Sequence, residues 1–109
     1  MAIPHAQPIE PVSVFPLGER LATAQTTTLV KTDALELIRL VLPAGKKIDQ
    51  HEVPGEITLQ CLEGKVHFRG ETSECELTAG QLIYVPGSEA HSLRAEIDSS
   101  LLLTILLRH

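Results

Sequence analysis

The apolar runs of this sequence are short, and nearly all of them end at a glycine, a proline or a polar turn. Short apolar runs separated by close turn signals are typical of an all-β sandwich or barrel. We expect about nine strands of this kind, among them residues 25–32, 35–42, 57–62, 66–69, 75–77, 82–85, 91–97 and 101–107. No stretch favours a helix convincingly, so the predicted fold class is all-β.

Residues 35–42 and 101–107 are apolar at both odd and even positions. A helix is the rival interpretation of 35–42, but Pro43 and Gly45 end the run too early for a typical helix. Since successive side chains of a strand point to opposite faces, both faces of these two strands should be covered.

The first residues differ in composition from the rest of the chain. Pro4, Pro8 and Pro11 exclude a helix and a central strand there. We expect either a disordered terminus or an extended arm over residues 1–14 that lies on a partner subunit. Residues 15–109 should then form one domain, since about a hundred residues is a usual domain size.

Charge and cysteine content exclude several classes of function. The formal net charge is −5 and no basic cluster is present, which argues against binding to nucleic acid or to anionic membranes. Two cysteines are too few for a disulfide framework. No apolar run is long enough to span a bilayer and no secretion signal is visible. These observations predict a cytoplasmic protein.

Two stretches of the chain contain the same kinds of feature, in a different order. Residues 45–64 and 80–91 each begin with a glycine, contain a short apolar strand and a Pro-Gly turn, and carry one histidine. One histidine beside a Pro-Gly turn in each stretch predicts that the imidazoles of His51 and His91 lie within about 5 Å of each other in a barrel mouth.

These two stretches resemble the paired motifs of the cupin superfamily. The matching positions are Gly45, His51 and Gly64 in the first motif, and Gly80, Pro86 and His91 in the second. Fifteen residues separate Gly64 from Gly80, as in small single-domain bacterial cupins. The resemblance implies a double-stranded β-helix, which is the cupin jelly-roll barrel, and it also implies pairing of subunits, in some cases with exchanged N-terminal arms.

The sequence departs from the motifs where cupins hold a metal. In the family, three histidines and a carboxylate bind it, whereas Val53 and Ile57 occupy two of those positions here. Divalent zinc, nickel, iron or manganese usually needs at least three protein ligands. Only His51 and His91 remain, and Glu56 becomes a third ligand if a bulge turns it inward.

A pocket without a metal is the alternative interpretation of the two histidines. Such a pocket would be lined by His51, His91, Val53, Ile57, Leu59 and Cys61. A pair of neutral imidazoles beside an apolar wall can bind a carbonyl or carboxylate group, or transfer a proton. His67 alternates with Val66 and Phe68 and is expected to point outward.

Three functions follow, and the sequence leaves open whether the chain is an enzyme. The first is binding of a small molecule around His51 and His91 with a degenerate metal site. The second is a metal-dependent enzyme of the dioxygenase or isomerase type with an incomplete ligand set. The third is a structural or regulatory dimer with a vestigial pocket.

A homodimer is predicted from the two strands that are apolar on both faces. One face of each strand can be covered by the barrel interior. The other face would expose leucines such as Leu40, Leu42, Leu102 and Leu106, although the alternation alone does not decide which set points inward. A large exposed apolar patch is rare on a monomer, so a second subunit is the simplest cover.

Overall fold

A computed structural model describes residues 5–107, and of His51 it describes only the backbone. Within this range the chain forms nine strands and one short 3₁₀ helix, Gly18–Thr23. The strands are β1 (Thr27–Lys31), β2 (Leu35–Leu42), β3 (Lys47–His51), β4 (Ile57–Glu63), β5 (Lys65–Arg69), β6 (Glu74–Thr78), β7 (Leu82–Val85), β8 (His91–Ala95) and β9 (Ser99–Leu106).

The strands form two antiparallel sheets. The first has the order β1-β2-β9-β4-β7, and the second has the order β3-β8-β5-β6. This confirms the predicted all-β class and the double-stranded β-helix. The two sheets face each other across one core, which consists of Leu42, Ile57, Leu59, Cys61, Val66, Phe68, Leu77, Val85, Leu93, Ala95 and Leu101.

The strand register decides which leucines point inward. Leu40 pairs with Leu101, which has no exposed surface, and Leu42 is itself part of the core. Paired residues of an antiparallel sheet share one face. Leu40 and Leu42 therefore belong to the inner set, a choice that the alternation left open, and Leu102 and Leu106 lie on the outer face.

The structure differs from the predicted elements in three places. The strand β3 was missed because Ile48 is the one apolar residue in Lys47–His51. The 3₁₀ helix Gly18–Thr23 was missed as well, since six residues are too few to show a helical period. The strand β9 begins at Ser99 rather than at Leu101, because both serines there are fully buried.

Residues 12–18, the N-terminal strap, lie across the outer face of the five-stranded sheet. The Arg39 guanidinium donates hydrogen bonds to the carbonyl oxygens of Ser13 and Phe15, at 3.2 and 3.0 Å. The Glu63 carboxylate accepts hydrogen bonds from the backbone N–H groups of Leu17 and Gly18, at 2.9 and 3.1 Å. The strap is thus held by its own subunit, and Arg39 is buried beneath it.

The predicted arm over residues 1–14 falls partly outside the described residues, since residues 1–4 are not described. From residue 6 onward the arm contacts its own chain, because Ala6 donates a backbone hydrogen bond to Leu29 in β1. None of the helices in the described part of the chain is long and apolar enough to cross a membrane.

Candidate functional site

Two Pro-Gly turns meet at one end of the barrel, which we call the mouth. The Ser88 N–H donates a 2.7 Å hydrogen bond to the Val53 carbonyl. A Cβ atom at Gly87 would collide with the Pro54 carbonyl oxygen, so only glycine allows this approach. The two echoed stretches of the sequence are therefore packed against each other at the mouth.

The strand register places the two motif histidines opposite each other. β3 pairs with β8, and His51 is the register partner of His91. The predicted distance between the two imidazoles stays a prediction, because the side chain of His51 is outside the described part of the structure.

His91 is fixed in orientation inside the mouth. Its side chain is buried, and its ring stacks on Phe68 with a centroid distance of 5.5 Å and an interplanar angle of 22°. Nδ1 lies 2.9 Å from the Glu89 carbonyl oxygen. A carbonyl oxygen only accepts hydrogen bonds, so Nδ1 carries the proton and Nε2 of the neutral ring carries the lone pair.

The loop that holds His91 is braced by two carboxylates. Glu71 Oε1 accepts a 3.0 Å hydrogen bond from the Ala90 N–H, and Glu89 Oε2 accepts a 3.3 Å hydrogen bond from the Glu71 N–H. The turn between β5 and β6 is thereby joined to the loop before β8. This brace holds the Glu89 carbonyl in the position where it accepts from the imidazole.

An apolar cavity of about 110 Å³ lies behind His91. His91 supplies the polar group of the lining, and the other lining residues are Leu40, Ile48, Ile57, Leu59, Phe68, Leu93 and Leu103. A polar groove of about 740 Å³ lies on the other side of the same histidine, lined in part by Lys47, Asp49, Arg69 and Glu71. His91 thus borders both an apolar interior and a polar exterior.

The predicted pocket residues separate into two groups. Ile57, Leu59 and His91 line the cavity together. Val53 packs against the core without lining the cavity. Cys61 is buried towards the other end of β4, where its thiol lies 3.5 Å from the Glu63 carbonyl oxygen.

Sequence reasoning missed five of the lining residues, which come from other strands. The sequence does indicate that Phe68 and Leu93 point inward, because each alternates with polar neighbours.

The thiol of Cys61 does not favour metal binding. Burial raises the pKa of this thiol by more than the hydrogen bond to the Glu63 carbonyl lowers it. It is therefore an apolar filler rather than a thiolate ligand.

The residues at the mouth do not fit the metal site of the family. Val53 and Ile57 have no donor atoms at two of the ligand positions. Glu56 accepts a 3.3 Å hydrogen bond from the Tyr84 hydroxyl on the outer face of the five-stranded sheet, whereas His91 lies on the inner side of the barrel. No group of three His, Cys, Asp or Glu side chains that could hold a metal ion occurs among the side chains described.

The remaining described histidine with a fixed neighbour is His67. Its Nε2 lies 3.6 Å from the Glu74 carboxylate on the outer face of the four-stranded sheet. The expectation that His67 points outward is therefore confirmed.

Comparison with known proteins identifies the class of this fold. The sequence profile of the cupin domain matches residues 38–106, which is more than half of the chain. The protein belongs to the cupin family. No curated protein matches the chain closely.

Several solved structures share the whole architecture. A conserved protein of unknown function from Streptococcus pyogenes is 23% identical, with a TM-score of 0.76 and coverage of 100% of this chain and 99% of that one. A cupin superfamily protein from Desulfitobacterium hafniense gives 13% identity, a TM-score of 0.75 and coverage of 90% and 99%. An RmlC-like cupin from Desulfovibrio desulfuricans gives 21% identity, a TM-score of 0.73, and coverage of 88% of this chain and 95% of that one. At these identities the likeness concerns the fold alone.

Proposed function

We propose that the chain binds a small molecule in the barrel mouth around His51 and His91, at a metal site that has degenerated. The observation that carries this proposal is the position of His91. Its ring is fixed by the Glu89 carbonyl and by Phe68, and it borders the apolar cavity on one side and the polar groove on the other. A ligand at this boundary would have one apolar end and one polar end.

The size of the cavity limits the apolar end of the ligand. An engineered apolar cavity of about 150 Å³ binds benzene. The cavity behind His91, at about 110 Å³, would hold a somewhat smaller group, such as a short branched aliphatic chain. This cavity excludes a sugar ring, because its walls offer no polar partner apart from His91.

The polar end of the ligand would contact His91. Nε2 of the neutral ring accepts a hydrogen bond from a hydroxyl group, and the protonated ring donates to a carboxylate. The adjoining groove offers the cations Lys47 and Arg69 as partners for the same carboxylate, beside the carboxylates of Asp49 and Glu71. Short branched carboxylic acids and alcohols are therefore the ligands to test first.

The experiment is a thermal-shift and calorimetric titration with isobutyrate, isovalerate and isobutanol. At ten times its Kd, a ligand should stabilise the protein by about 1.4 kcal/mol. The substitutions His51→Ala and His91→Ala should each remove this effect. His67→Ala is the matched control, since it removes an imidazole from the outer face. Binding by the His91→Ala variant with unchanged affinity would contradict the proposal.

We propose further that the pocket works without a tightly bound metal, because the donor set described above is too small. Elemental analysis of protein purified without a histidine tag tests this. Zinc, nickel, iron or manganese at one ion per chain would favour the metal-dependent enzyme instead. Loss of that ion in His91→Ala would show that His91 is one of its ligands.

The proposed assembly is a homodimer formed through the outer face of the five-stranded sheet. Phe15 of the strap is 79% exposed, and Leu82, Tyr84 and Leu106 are also exposed on this side. Burial of such residues favours association, and a specific interface would cover roughly 1,200–2,000 Å² in total. Light scattering at low micromolar concentration should give the mass of two chains, and Leu106→Glu should reduce it to one. A single-chain mass for the unmodified protein would refute the dimer.

A further inference from the structure

The two sheets leave a gap along one side of the barrel. β6 is the edge strand of the four-stranded sheet, and β7 is the edge strand of the five-stranded sheet. The chain joins them directly through residues 79–81, so they are close at that end. At the opposite end, between residues 72–75 and 83–86, they enclose a cleft of about 270 Å³.

The floor of this cleft is apolar. It includes Phe68, Ile83 and Val85, and Cys75 contributes a thiol that is neither fully buried nor in a disulfide. Cys75 is the register partner of Phe68, so both side chains belong to the same inner face of their sheet. The volume exceeds the cavity of about 150 Å³ that accepts benzene, so a larger ring system fits.

The charged groups of the cleft exclude one class of ligand. Glu89 lines the cleft, Glu74 directs its carboxylate to His67 and Arg69 on the outer face of the sheet, and the lining contains no lysine, arginine or histidine. An anion in the cleft would find no cation among the lining residues to pair with. The chemistry therefore favours an uncharged, mostly apolar molecule.

The cleft is separated from the cavity behind His91 by one side chain. Phe68 lines both spaces, and its ring stacks on His91. Glu89 also lines the cleft, and its carbonyl accepts the hydrogen bond from His91 Nδ1. A molecule in the cleft would contact two residues that fix the orientation of His91.

We propose that this cleft is a second small-molecule site, which takes an uncharged aromatic compound between the edges of β6 and β7. It is distinct from the mouth site proposed above, because Phe68 is the one residue that the cleft lining shares with the cavity behind His91. Neither site requires the other.

Cys75 provides a native reporter for the test. Indole is the probe, and the measured quantity is the rate at which a disulfide reagent labels Cys75. The part of the labelling that is lost in the variant Cys75→Ser is the reaction of Cys75. Cys61 should react slowly, because it has no exposed surface. At ten times its Kd, indole should slow the labelling about tenfold, because only the unoccupied fraction reacts.

Two substitutions on one strand separate cleft binding from other effects. Ile83→Phe fills the cleft and should abolish the protection by indole. Leu82→Phe adds the same ring on the outer face of β7, where Leu82 is exposed, and should leave protection intact. Equal protection in the two variants, or none in the unmodified protein, would overturn the proposal.

A further variant distinguishes the two sites. Leu103→Phe fills the cavity behind His91, so it should leave the protection of Cys75 by indole unchanged. Amide chemical shifts in the unmodified protein provide a second measurement that needs no substitution. Indole should shift the amides of Cys75 and Ile83, and shifts confined to Leu93 and Leu103 would overturn the proposal while supporting the mouth site.

Discussion

The outer faces of the two sheets use charged residues in different ways. On the five-stranded sheet, Arg39 is buried and Glu63 is half-buried, and both hold the N-terminal strap through its backbone. On the four-stranded sheet, Arg94 and Arg69 are exposed and Lys65 is half-buried, and all three form pairs with nearby glutamates. The first arrangement fixes a segment of chain, whereas the second provides a solvated surface. Position relative to the strap, rather than residue type, decides which charges contribute to stability.

Replacing one arginine on each outer face should give the largest difference in the free energy of unfolding. Arg39→Met should lower the free energy of unfolding by about 2–3 kcal/mol, because two hydrogen bonds from a buried charged donor to the strap are lost. Arg94→Met should change it by less than about 0.5 kcal/mol, since the Arg94–Glu96 pair is exposed. Urea unfolding followed by circular dichroism measures both. Equal losses would contradict the distinction between the two faces.

The pH dependence of stability should sharpen the role of Glu63. Burial would raise the pKa of Glu63, but hydrogen bonds from Leu17, Ser100 and Gly18, together with the nearby charge of Arg39, outweigh burial and lower that pKa. A folded-state pKa below the unfolded one stabilises the protein at pH values above about 4.3, and this contribution is lost as the pH falls through the folded-state pKa.

Glu63→Gln removes this titration. The variant should be less stable than the unmodified protein at pH 7, and the difference should shrink as the pH falls towards 3. Unfolding free energies at a series of pH values measure it. A difference that is the same at both ends of the series would show that the carboxylate charge does not hold the strap.

The smallest effect is expected on the four-stranded sheet. Glu74 lies within 3.7 Å of both His67 and Arg69, but its side chain is 56% exposed. Glu74→Gln should therefore change the free energy of unfolding by less than about 0.5 kcal/mol. A loss comparable to that of Arg39→Met would mean that this surface is covered by a partner in solution.

Much of the fold could be predicted from the sequence because most strands carry their own signal. β2 and β7 have the predicted ends, since a proline follows each of them directly. β3 could not be predicted, because an edge strand with one apolar residue shows no alternation. The burial of Arg39 could not be predicted either, because it depends on the strap, which is distant in sequence.

The candidate site was predicted less completely than the fold. The motifs predicted a pocket around His51 and His91, and the structure makes these two residues register partners. They also placed Ile57 and Leu59 on the inner face. They could not place Leu40 or Leu103, since the same pattern of apolar residues fits either face of a strand, and they could not place Ile48, since its strand was not predicted. The prediction of Glu56 as a third metal ligand depended on a bulge that turns its side chain inward. Its hydrogen bond to Tyr84 instead places this side chain on the outer face.

The position of β9 between β2 and β4 has a consequence for synthesis of the chain. Leu35 pairs with Leu106 and Ile57 pairs with Ile105, so the two apolar strands share a partner that the ribosome makes much later. Until residues 99–106 emerge, β2 and β4 each have an open edge beside an apolar face. Non-local pairings of this kind fold slowly, and exposed strand edges promote aggregation. The nascent chain is therefore most exposed to misassembly just before its last strand appears.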